Sequence, residues 1–277
     1  MRPLVAVRRA VPFDPQFLAR SPLFWPLARA ARALEPCDDF PNVDDLLQVF
    51  AASPPIRFVE APPARRPRGP VDARTLYDGR VTIEGVVPTR ARCWHDFMNA
   101  LVWGTFPRAK RALHARQHRA IAARVAPNAH TLPPVRTPEL DALALLDEGG
   151  IAVLTSDPER VHAALTTRQP GALRAEVATG HALAVIFGHA IYESLALGVA
   201  PAVAAAVVIL RDRSQPDAVI DADISLARCI DDSDRLHSPR ELRRVDVSEA
   251  SPALRDRHDA TRSLTRLLAS WRRGDLS

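Results

Sequence analysis

Apolar positions along this chain of 277 residues follow two spacings. Between 142 and 211 they come in short unbroken runs: "ALALL" at 142–146, "IAVLT" at 151–155, "HALAVIFG" at 181–188 and "AVAAAVVILR" at 202–211. Runs of roughly four to eight apolar residues between turn formers predict short, buried strands. Asp147-Glu148-Gly149-Gly150, lying between the first two runs, predicts a hairpin tip. "IRFVEA" at 56–61 predicts another short strand.

Elsewhere the period is helical. In "FPNVDDLLQVFAAS", Val43, Leu46, Leu47 and Phe50 share one face, with Asn42 as N-cap. A helix is predicted from about Arg92 to Gly104. Pro107 lacks an N–H, so it ends that helix and restarts a second, with Thr105 as the cap. The second helix, "RAKRALHARQHRAIAARV", is basic and only weakly amphipathic, and is expected to face solvent. "PERVHAALTTR", "HAIYESLAL", "DADISLARCI" and the arginine-rich tail from 253 also read as helices, and Tyr77-Asp78-Gly79 as a turn. The expectation is an α+β fold, a helix-rich single domain around a small, mostly buried sheet. A proline-punctuated segment, 1–70, with short helical pieces and an exposed loop at 62–70, would pack on a core of 71–247. Residues 248–277 would form a basic helical tail.

Composition changes the picture in two ways. The longest apolar run, "VAPAVAAAVVIL" at 199–210, is too short for a bilayer and contains proline, and the first fifteen residues have no signal-like apolar stretch. The expectation is a cytoplasmic protein with no membrane partner. Three scattered cysteines, Cys37, Cys93 and Cys229, argue against a disulfide framework or a paired-cysteine metal site. The net charge of +5 permits nucleic-acid binding without requiring it. More telling is that 36 of the 37 basic residues are arginine, which leaves Lys110 alone. Such a bias reflects GC-rich coding, under which residues with AT-rich codons become scarce. Five of them (Phe97, Met98, Asn99, Phe106, Lys110) nevertheless fall within 94–110, and four (Ile186, Phe187, Ile191, Tyr192) within 183–193. Packing or function holds them there.

Three blocks carry a resemblance. "GVVPTRARCWHDFMNALVWGTFPRAKRAL" is similar to the central signature of a bacterial family known as domain of unknown function 3025: Trp-His-Asp, then Asn-Ala-Leu, an aromatic, Phe-Pro and a lysine. "DALALLDEGGIAVLTSDP" and "IFGHAIYE" resemble its second and third blocks, and the likeness spans roughly 20–245. The C-terminal "TRSLTRLLASWRRGDLS" departs from the family's expected end. The resemblance implies no activity.

The residues themselves suggest a polar site. His95, Asn99 and Trp103 lie four apart and line one helix stripe, with Asp96 about 100° around from His95. They either wall a pocket or bond to backbone across a buried contact. His189 opens a helix, where the positive dipole end favours a neutral imidazole, and Glu193 shares its face. His95, Asp96, His189 and Glu193 together would suit a divalent metal such as zinc or manganese; holding a helix end in place is the plainer role. Asp147 and Glu148 are explained by turn chemistry, and Cys93 stands too close along the helix to His95 to face it. Lys110 would supply a compact ammonium against an anion that arginine could not replace. The leading expectation is a hydrolase or phosphate-ester-processing enzyme acting on a small-molecule or phosphate-containing ligand. Its site would comprise His95, Asp96, Asn99, Lys110, His189 and Glu193. The alternative is a non-catalytic nucleic-acid- or protein-binding protein that uses the basic helix 107–125 and the tail.

Overall fold

The computed structural model describes residues 11–35, 37–62, 69–167, 169–199, 203–211 and 217–250. Its strands form two sheets. β1 (Arg57–Glu60) and β2 (Val86–Thr89) make a small parallel pair. The main sheet contains β3 (Gly150–Thr155), β4 (Ala182–Ile186), β5 (Val203–Leu210) and β6 (Arg243–Asp246) in the order β4–β3–β5–β6. β3 lies inside it, antiparallel to β4 (Ile151↔Ile186) and parallel to β5 (Ile151↔Ala206). All six β3 residues are buried, which is why that stretch reads as an unbroken apolar run.

Nine α-helices surround the sheets among the described residues: α1 (Ala28–Arg32), α2 (Tyr77–Gly79), α3 (Trp94–Thr105), α4 (Pro107–Ala122), α5 (Pro138–Gly149), α6 (Pro158–Thr166), α7 (Ala172–Ala178), α8 (His189–Ala196) and α9 (Ala218–Asp231). The fold is α+β and helix-rich, and none of these helices is long and apolar enough to cross a membrane. Phe13, Phe17 and Phe40 of the N-terminal segment pack their rings against Trp94 and Phe97 at the start of α3. That aromatic cluster fixes the turn that carries His95.

Several expectations need correction. Asp147–Gly150 is not a hairpin tip: α5 continues to Gly149 and runs straight into β3. Leu140, Leu143 and Leu146, three apart, form the buried face of that helix, and Thr137 caps it by accepting from Leu140 N at 3.1 Å. A short apolar run fits either a helix or a strand, and here length and cap decide. Tyr77-Asp78-Gly79 is a helical turn rather than a reverse turn. Asn42 is not an N-cap; its amide binds Asp45, and a 3-10 helix spans Asp44–Val49. Nor does Thr105 cap α4, because its hydroxyl donates back to Leu101 O at 2.7 Å.

The largest correction concerns α4. It does not face solvent: Ala109, Lys110, Ala112, Leu113, His114, Arg116 and Gln117 are buried, and the helix packs along α9. Hydropathy misses this because the buried face is polar and each charge is met inside. Arg116 donates to Glu139 Oε1 (2.7 Å) and to the carbonyls of Ile230, Asp232 and Arg235. At the start of α4, Arg108 N and Ala109 N donate to the Asp223 carboxylate at 3.3 and 2.9 Å. The predicted helices of the tail from 251 lie outside the described residues.

Candidate metal centre

Main-chain geometry brings two helix ends together. Phe187 N and Gly188 N both donate to the Gly150 carbonyl at 2.9 Å. The chain passes so close there that a Cβ on Gly188 would stand 2.5 Å from both Glu148 O and Gly150 N. Only glycine fits. As a result His189, the first residue of α8, lies beside Asp147 and Glu148 at the end of α5. α3 packs against α8 from the other side and delivers His95.

The two imidazoles meet edge-on, with Nε2 atoms 3.0 Å apart and ring planes at 72°. Their other nitrogens fix the tautomers. His189 Nδ1 lies 2.9 Å from the Asp147 carbonyl oxygen, which can only accept, so Nδ1 carries the proton. His95 Nδ1 lies 2.9 Å from Glu193 Oε2 and donates to that carboxylate. Two neutral rings so held turn lone pairs toward each other, and an electrophile, a proton or a cation, must sit between them. The third donor is Glu148, whose Oε2 lies 3.4 Å from His189 Nε2. Ligand atoms of His95, Glu148 and His189 all lie within 4.8 Å of one another. A tetrahedral ion with bonds of about 2.0–2.1 Å would hold its donors about 3.3–3.4 Å apart, within a few tenths of an ångström of the two separations made by His189 Nε2.

Burial governs the protonation of His189 and Glu148. Burial pushes the His189 imidazolium pKa down to about 3, with Lys110 and His95 pushing the same way against the Asp147 charge. Burial and the neighbouring Asp147 charge push the Glu148 carboxyl up. A neutral His189 keeps the Nε2 lone pair that a ligand bond needs. Glu148 is also the open side of the centre, with about half of its side chain exposed (52%).

Behind the donors stands a second, buried layer. Lys110 is wholly buried; its Nζ binds Asp147 Oδ1 at 2.5 Å and lies 5.7 Å from the centre of the Trp103 ring. Burial alone would raise the Asp147 carboxyl, yet Lys110, His189 and His114 together hold it well below the usual carboxylate range. The Asp147 residue thus uses its carboxylate on Lys110 and its carbonyl on His189. His114 stacks on Trp103 and binds Asp78 Oδ1 at 2.8 Å.

The expected site residues therefore divide. His95 and His189 converge, and Glu193 stands behind His95 as its partner. Asp96 points elsewhere, as a residue one step around a helix must, and its carboxylate is taken by the Arg90 amide and guanidinium at 2.5–3.0 Å. Asn99 is buried; its Nδ2 donates to Tyr77 Oη at 3.3 Å, and its Oδ1 has no partner among the described residues. Lys110 serves Asp147 from the interior. Asp147 and Glu148, read from sequence as turn formers, are the residues that reading missed. The signal that could have found them is the acidic pair closing a capped, three-spaced leucine helix.

Residues 58–257 match the model of a family described as protein of unknown function (DUF3025). The chain belongs to that family. The DUF3025 span begins later and ends later than the sequence blocks suggested, and it contains His95, Lys110, Asp147, Glu148, His189 and Glu193. No curated protein and no solved structure matches the chain.

Proposed function

We propose that this DUF3025 protein is a metal-dependent hydrolase, with His95, His189 and Glu148 holding a divalent ion such as zinc or manganese. The observation that carries the reading is the pair of Nε2 atoms 3.0 Å apart, each opposite an Nδ1 bound to an acceptor. Histidine ligands in metal centres are oriented in this way, by a carboxylate or carbonyl on the far nitrogen. Two imidazoles and one carboxylate leave room for water, whose acidity a bound ion would increase, and for a substrate oxygen. Glu193 fixes the His95 ring, and the Asp147 carbonyl fixes that of His189. Glu148, on the open side, is the residue placed to exchange a proton at the surface.

The test is isothermal titration of untagged, chelator-treated protein with zinc and manganese, followed by a screen of ester, amide and phosphate-ester substrates. The parent should bind one equivalent, and His95→Ala and His189→Ala should each lose it while remaining folded. A parent that binds neither ion with a Kd below about 1 mM would end the reading.

A further inference from the structure

Glu148 belongs to the centre and also lines a groove of about 500 Å³. The rest of its wall comes from Leu145 of α5, Ile191 and Ser194 of α8, Val203 at the start of β5, and Arg243 and Arg244 of β6. The lining is mostly apolar, and Leu145 and Val203 expose close to half of their surface (46% and 49%). Glu148 is its one acidic residue. A larger cleft, of about 1260 Å³, includes Trp25, Phe50 and Asp223 but none of the three donors, so size alone does not mark it as the site.

Sheet register gives the groove a length. Gly150 pairs with Ala205, and Ala205 with Arg244. Two strand spacings of about 4.8 Å therefore separate the end of α5 from Arg244, about 10 Å in all. At the near end stands Glu148, one of the three donors, and at the far end stand Arg243 and Arg244, neighbours on β6. Neither Arg243 nor Arg244 has a carboxylate partner among the described residues. Arg243 donates from Nη1 to the Arg240 carbonyl, while its buried Nε has no partner. Arg244 is exposed, and a guanidinium without a carboxylate partner is suited to hold an anion.

We infer that this groove is the substrate channel of the centre, and that the substrate has an apolar body about 10 Å long ending in an anionic group, carboxylate or phosphate, held by Arg243 and Arg244. The inference rests on the metal reading for its near end only. The arginines and the apolar wall stand on their own geometry.

The experiment uses the full chain loaded with zinc and four probes: octanoate, octyl phosphate, octanol and acetate. Octanoate or octyl phosphate should bind at least about tenfold more tightly than octanol or acetate, because both body and anion are needed. Which of the two binds more tightly identifies the anion. The double variant Arg243→Gln/Arg244→Gln should bind zinc like the parent and lose about tenfold or more toward the anionic probe. Leu145→Gln, which adds no charge, should weaken octanoate more than acetate. Anionic probes binding no better than octanol, or the double variant binding like the parent, would overturn the inference even with zinc in place. If zinc does not bind and octanoate still does, with loss in the double variant, the channel stands and the metal reading falls.

Discussion

Two polar clusters meet α4, one at Arg116 and one through Lys110, and they differ in what they leave unfinished. At Arg116 four of the five guanidinium N–H donors are taken, by one carboxylate and three carbonyls. At the centre, two imidazoles turn acceptors toward each other and a half-exposed carboxylate stands beside them. The first cluster ties α4 to the segment after α9 and asks for nothing more. The second needs a proton or a cation between its imidazoles. Buried charge by itself does not mark function; unused valence facing an opening does.

The largest effect expected in either cluster is at Lys110. Lys110→Met leaves the Asp147 carboxylate buried and unpaired, and should cost about 3–5 kcal/mol by denaturant unfolding. It should also change the acid limb. Asp147 titrates in the native protein below its ordinary range, so its contribution is present above the unfolded carboxylate value near 4 and is lost as pH falls through the lower native value. Without Lys110 the native value rises, and acid unfolding should begin at a higher pH. Unchanged stability and an unchanged acid midpoint would show that the ammonium is replaceable.

Arg116→Ala should cost about 2–4 kcal/mol, since carbonyls of Ile230, Asp232 and Arg235 lose their donor. Zinc affinity per folded molecule should not change, as measured by calorimetry well below the unfolding midpoint. A parallel loss of zinc binding would erase the distinction between the two clusters. Glu193→Gln reverses the pattern: stability should stay within about 1 kcal/mol while zinc affinity falls about 10–100-fold. If affinity holds, His95 needs no orienting carboxylate. Smallest of all, Arg119→Ala on the exposed side of α4 should shift stability by less than about 0.5 kcal/mol.

The same contrast explains what the sequence could disclose. Buried strands and most helices are legible because apolar runs and periods report burial directly. Lys110 could be singled out because composition makes it an exception, and His95 and His189 because each opens a helix beside other chemistry-bearing residues. α4 was misplaced because its inward face is built from Lys110, His114, Arg116 and Gln117, which hydropathy assigns to water. Asp147 escaped for another reason: the atom that orients His189 is its main-chain carbonyl, and no residue type advertises that use. Which of Asp96 and Glu193 would face His95 is a matter of helix phase between α3 and α8, set by packing that no single segment encodes.

The Gly150 carbonyl, accepting from Phe187 and Gly188 at once, has a consequence for how this protein can change over time. It acts as a surveyor's datum, locking the phase of α5 to that of α8 through atoms every residue possesses. Side chains on both helices can be exchanged without re-aligning the donors. A single-residue insertion or deletion between 148 and 150, or between 186 and 189, would displace one donor from the others by about 3.3 Å, whatever residue it involved. Lineages descending from this fold are therefore expected to keep the length of the two junctions and the glycines at 150 and 188, and to vary at the other positions around them.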